Sequence, residues 1–298
     1  MTPARIDPKV RELARDLDLE WRGDCVGRLR QFAVGKVREW TELLPVRSVD
    51  ALLELAASML SLKLVYLESD DDVGRVAAAY SASWPQLRAQ LRGEFEDSDT
   101  MGFLLAHPSP EKGAPRYYAF IDRRGDRAVR AYFTAWHEVA HLLLQPSQLA
   151  FSGFRRVTAE SARSKDPLEA LVDQVAGELA FFGPLTEPVL ARELDGRGRV
   201  TLGSVERIRE AVAPEASFSA TAYALVRLVD QSLAFLVAEE RLKPMEERAL
   251  TRAQLQLVDA PAPEPKLRVA SLYSNDAARA AGFRIFQNMR VPEDSVVS

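Results

Sequence analysis

His137-Glu138-Val139-Ala140-His141 places two of the chain's three histidines four residues apart, with a glutamate beside the first. On a helix, positions i and i+4 share one face about one turn apart. Two neutral imidazoles at that spacing can grip one Zn²⁺, and Glu138 then stands next to the metal-bound water as a candidate general base. A chance cluster on a half-buried helix is the bland alternative, and the scarcity of histidine argues against it.

A catalytic zinc usually takes three protein ligands and keeps one position open. No histidine follows six residues after the second; Ser147 occupies that place. His107 sits in the turn HPSPEKGAP, with no set relation to the motif helix, and reads as an ordinary exposed turn residue. The third ligand is therefore expected to be a downstream carboxylate. Glu160 follows His141 after eighteen intervening residues, the spacing seen in gluzincin aminopeptidases, but it lies in the polar, loop-like TAESARSK. Glu169 opens a helix, and Asp173 falls one turn later on the same face. Asp173 can accept a hydrogen bond from the free ring N–H of a ligand histidine and fix its tautomer. Glu169 is favoured on that ground, with Glu160 as the alternative. Histidine and carboxylate ligands suit Zn²⁺ and, to some degree, Mn²⁺.

The elements that must position these groups are legible. Arg130 to Gln145 contains no Gly or Pro and is stopped by Pro146. Phe133, Trp136, Val139, Ala140 and Leu143 fall near helical period, so the ligand helix should be buried. Pro167 to Phe182 reads as a second helix, with Pro at its start and Gly183-Pro184 at its end. Upstream, residues 8 to 45 read as largely helical, and Ser48 caps a helix through Leu60. Lys63 to Leu67, Gly102 to Ala106 and Tyr117 to Ile121 read as strands. Asp70-Asp71-Asp72 reads as a solvated acidic turn, and Val73 to Leu91 as a helix interrupted at Pro85. Further helices are expected at 187 to 194, 202 to 212 and 220 to 240. Asp259 to Lys266 is a proline-rich linker, and LRVASLY in the last part is strand-like.

The fold class expected is α+β, a core with a small antiparallel sheet and the motif helix, then a helical subdomain. The organisation reads as an N-terminal helical segment (1–45), the core (46–185), the subdomain (186–258), the linker (259–266) and a small C-terminal region (267–298). That region ends without a natural finish, so truncation is expected there.

At 298 residues the chain has room for one large domain or two modest ones. A net charge of −4 leaves no basic footprint, so direct nucleic-acid binding is not expected. The apolar AYALVRLV carries only Arg227 and reads as a packed helix rather than a DNA reader. Cys25 is the only cysteine, which excludes an intramolecular disulfide and a cysteine-rich zinc module. The charged N-terminus lacks the apolar run of a signal peptide, and no stretch approaches membrane-spanning length. The expected location is cytoplasmic, with no membrane partner.

FTAWHEVAHLLL, followed by EALVDQVAGELAFFGP, resembles the ImmA/IrrE family of bacterial metallopeptidases. The family pattern runs Phe-Thr-x-Ala-His-Glu-x-Gly-His, then, one helix later, Glu-x-x-x-Asn/Asp-x-x-Ala-x-x-Leu-Leu-Met-Pro. Phe133, Thr134, His137, Glu138, His141, Glu169, Asp173, Ala176 and Leu179 fall onto it in order. FSATAYALVRL is similar to the family's helical element after the peptidase core, so the resemblance covers roughly residues 45 to 240. Trp136 and Ala140 replace the usual Ala and Gly, and Phe181-Phe182 replaces Met-Pro. None of these is a ligand position. The repressor-type helix-turn-helix fused in many relatives is not evident in residues 1 to 45.

The resemblance implies a zincin-like fold, with His137, His141 and Glu169 on Zn²⁺ and Glu138 as base. It also implies a zinc endopeptidase of narrow specificity acting on one regulatory protein, often a helix-turn-helix repressor, in a stress or mobile-element response. Tyr117, Tyr118 or an arginine would stabilise the oxyanion, and substrate would dock along a sheet edge such as the Tyr117 to Ile121 strand. The competing reading is a regulatory binding protein with a structural or idle metal, working through residues 241 to 298.

Overall fold

The computed structural model describes residues 6–80, 83–95, 100–145, 154–158, 166–195, 199–255 and 263–292. The chain divides into two compact units, Met1–Thr221 and Ala222–Ser298. Among the described residues, no helix is long and apolar enough to cross a membrane.

The first unit is α+β. It opens with α1 (Pro8–Asp16) and α2 (Cys25–Leu43), each started by an aspartate side chain that accepts from a first-turn N–H. Helix α3 (Val49–Met59) begins at the expected Ser48 cap. Strand β1 (Leu62–Leu67) is followed by α4 (Asp70–Ala79) and α5 (Leu87–Phe95), separated around Pro85. Then come β2 (Thr100–Ala106), β3 (Tyr117–Asp122), α6 (Ala128–Leu144), β4 (Phe154–Thr158), α7 (Pro167–Ala180), α8 (Gly183–Asp195) and α9 (Leu202–Val212). Helix α10 (Phe218–Leu228) runs across the boundary between the units.

The described strands of this unit form one sheet in the order β1-β3-β2-β4. The expected antiparallel sheet is mixed: β2 pairs antiparallel with β3 and with β4, but β1 runs parallel to β3. The β2–β3 hairpin reverses the chain and returns β3 in the direction of β1, so the two become parallel neighbours.

The two faces of the sheet are covered differently. Phe103, Leu105, Tyr118 and Phe120 join Trp84, Leu87, Leu91 and Phe95 in a buried cluster under α4 and α5. The opposite face takes α6. A Cβ at Gly102 would stand 2.8 Å from Thr134 Cγ2 and 3.0 Å from the Phe120 carbonyl oxygen. Glycine there is what lets the motif helix lie this close to the sheet.

The three aspartates expected in a solvated turn form the first turn of α4 instead. Asp72 is buried and accepts from the backbone N–H groups of Glu68 (2.8 Å) and Ser69 (3.0 Å). A helix N-terminus leaves orphan N–H donors and a partial positive charge, both of which favour acids at its start.

The second unit corrects the expected helix over 220 to 240. Helix α10 stops at Leu228, and Ala234–Arg241 is a strand, β5, so the expected helical subdomain contains a strand. Helix α11 (Pro244–Leu255) follows, then β6 (Lys266–Ser274), which pairs antiparallel with β5, and α12 (Asp276–Ala280). AFLVA is an apolar run without a clear period, and pairing with β6 decides its state. Asn275 fixes the reversal before β5 by donating to the carbonyls of Val229 (3.0 Å) and Gln231 (2.6 Å). The first half of the expected proline-rich linker, residues 259–262, lies outside the described residues; its last residue, Lys266, opens β6.

Candidate metal centre

Helix α6 is buried on nearly every side: from Ala131 to Leu144 only Phe133 is not counted among its buried residues. Such a helix is central to its domain, which fixes its side chains more firmly than a surface helix would. Its start is tied to the sheet by Asp122 at the end of β3. Asp122 accepts from Arg124 Nε (2.9 Å), Nη2 (2.8 Å) and backbone N–H (2.9 Å), and also from Arg127.

Helix α7 packs along α6. The Tyr132 hydroxyl donates to the Ala180 carbonyl at 2.7 Å, joining the two helices. The N-terminal helices hold α7 from outside: Arg30 of α2 donates to Glu178, and Lys9 of α1 reaches Asp166 at 2.9 Å. Asp166 is the N-cap of α7, three residues before Glu169, and accepts from the Leu168 N–H at 3.0 Å.

These helices bring together His137, His141 and Glu169, whose ligand atoms all lie within 4.8 Å of one another. The two Nε2 atoms are 2.8 Å apart. Glu169 Oε2 lies 3.4 Å from the first and 3.6 Å from the second. A tetrahedral ion with bonds of about 2.0–2.1 Å spaces its ligands about 3.3 Å apart. Both carboxylate sides of the triangle fit that spacing, and the imidazole pair is narrower by about half an ångström. The group could hold a metal ion. His137 Nδ1 lies 2.9 Å from Asp173 Oδ1, the expected partner. With the Nδ1 proton donated there, Nε2 keeps its lone pair for the shared point.

His137 is 2% exposed, while Glu138 and His141 have no exposure. Glu169 and Asp173 are more open, their side chains 19% and 40% exposed. Glu160, the alternative ligand, lies outside the described residues.

His107 stands apart from this group, its ring packed edge-on against Trp84 at 5.0 Å. Tyr118, an oxyanion candidate, lies in the cluster on the sheet face away from α6, at 5.3 Å from Tyr80 and 5.6 Å from Trp84. Strand β3 cannot offer the docking edge expected of it, because β1 and β2 flank it on both sides. Among the described strands of this sheet, the outer ones are β1 and β4. Sequence reasoning missed the ties from Arg30, Lys9 and Tyr132, whose partners are 148, 157 and 48 positions away. No local pattern signals such pairs.

No model of a known protein family matches the chain, and comparison with curated proteins gives no match either.

Proposed function

We propose that this chain is a zinc-dependent endopeptidase of narrow specificity, related to the ImmA/IrrE metallopeptidases and acting on a regulatory protein such as a helix-turn-helix repressor. The convergence of His137, His141 and Glu169 beside the motif glutamate carries the reading. Zinc bound there supplies Lewis acidity, which brings the pKa of a water to near neutrality and polarises a carbonyl. His137, oriented by Asp173, and His141 contribute neutral nitrogen donors, and Glu169 contributes one negative charge. Glu138 takes the proton from the attacking water and delivers it to the leaving amine nitrogen. An extended substrate would add main-chain hydrogen bonds along an outer strand, β1 or β4.

The complete burial of Glu138 and His141 favours a second reading, a non-catalytic regulatory protein with a structural metal. Structural zinc sites are closed, whereas catalytic ones keep a position open. Glu138→Gln separates the two. New protein N-termini in a cell lysate treated with wild type, and missing after treatment with the variant at equal metal content, support the peptidase. Indistinguishable lysates with one metal per chain in both proteins support the structural site.

A further inference from the structure

A cavity of about 500 Å³ opens beside the outer strand β1, walled by α3 and by Tyr132 of α6. It shares no lining residue with the metal group. Its volume falls in the range of small-ligand sites, about 300–1,000 Å³. The apolar part of its wall is well buried: Leu53 is 8% exposed, Leu62 6% and Tyr132 4%.

The polar part carries three acids and two bases. Asp50 and Glu54 stand one turn apart on α3, and Glu215 joins them from the segment after α9. Glu215 is matched by Arg123, whose Nη2 lies 3.2 Å away and whose guanidinium also covers the Tyr66 ring at 5.0 Å. Lys63 contributes to the wall, but its Nζ lies over the Tyr80 ring at 5.4 Å. Among the described residues, Asp50 and Glu54 pair with no lysine or arginine. Burial, then the charges of Glu215 and Glu54, push the Asp50 carboxyl above its ordinary value. Asp50 and Glu54 therefore leave a local excess of negative charge at the mouth of an apolar hollow, against the positive charges of Lys63 and Arg123.

We propose that this cavity binds a small organic cation, an ammonium or guanidinium carried on an apolar body. The head group pairs with Asp50 and Glu54, while the body covers Leu53, Leu62 and Tyr132. A bare Ca²⁺ or Mg²⁺ fits less well, because those ions ask for six or more oxygens and much of this wall is carbon. The proposal is independent of the metal centre and of peptidase activity.

The test is calorimetric titration of the full chain with 2-phenylethylammonium and benzamidinium, and with the neutral 2-phenylethanol and anionic 3-phenylpropionate. Saturable binding of a cation, weaker by about tenfold or more for the alcohol and lost for the carboxylate, is expected. Glu54→Gln and Asp50→Asn should each weaken the cation several-fold, and Glu42→Gln on α2, outside the cavity, should not. Glu54→Gln leaves the start of α3 untouched, so it tests the site without disturbing the helix. No saturable binding of either cation, equal binding of the alcohol, or an unchanged affinity in both cavity variants overturns the proposal.

Discussion

His137 Nδ1 and Asp173 Oδ1 lie 2.9 Å apart, and this pair joins the two helices that carry the candidate ligands. The carboxylate acts on the metal point indirectly, by holding the imidazole proton on Nδ1 and the ring in one orientation. Asp173→Ala is expected to lower zinc affinity about 10–100-fold. The side chain is 40% exposed, so thermal unfolding of the metal-free protein should change little. Competition against a chromogenic chelator measures the affinity. An unchanged value would mean that packing alone orients the ring.

Glu169→Ala should remove the only carboxylate within ligand distance of both imidazoles among the described residues. Metal content by mass spectrometry is expected to be one zinc per wild-type chain, lost or strongly reduced in this variant and retained in Glu160→Ala. Loss in Glu160→Ala with retention in Glu169→Ala would reverse the ligand assignment.

The metal group was readable because each half of it is local. His137 and His141 follow the helical repeat, and Glu169 and Asp173 repeat the same four-residue step after a proline start. The boundaries of α6 and α7 were signalled by Pro146, Pro167 and Gly183. What failed was non-local or ambiguous. AFLVA suits a helix or a strand, and only pairing with β6 across α11 decides. The parallel placement of β1 beside β3 depends on how a hairpin inserts into a sheet, which no window of sequence contains. Asp70 to Asp72 form a helix start rather than a solvated turn because capping by Ser69 and Asp72 outweighs the repulsion of adjacent charges.

Gly102 tests the packing of the motif helix on the sheet. Alanine there would press its Cβ against Thr134 Cγ2 and the Phe120 carbonyl, one of them rigid backbone. Relief requires α6 to move away from β2. Gly102→Ala should cost about 1–3 kcal/mol in urea unfolding. It should also weaken metal binding, because any shift of α6 carries both histidines. Full stability in the variant would show that Thr134 can turn aside without moving the helix.

Asp122 makes the stability of this region depend on pH. Burial alone would raise its carboxyl, but hydrogen bonds from Arg124 and Arg127 outweigh burial and hold it below its ordinary value. The folded form therefore binds this proton less readily than the unfolded chain, whose aspartates titrate near about 3.9. The resulting stabilisation is present above that value and fades as pH falls through the lower folded one. Asp122→Asn keeps the shape and removes the charge. It should cost about 2–3 kcal/mol near neutral pH, as both guanidiniums lose a buried counter-charge while keeping some contact with water. Urea titrations of wild type and variant at about pH 7 and about pH 3 measure the difference between them. That gap should narrow on acidification, because the wild type approaches its protonated form and the asparagine has nothing to titrate. A gap that stays constant would assign the loss to hydrogen-bond geometry rather than to charge.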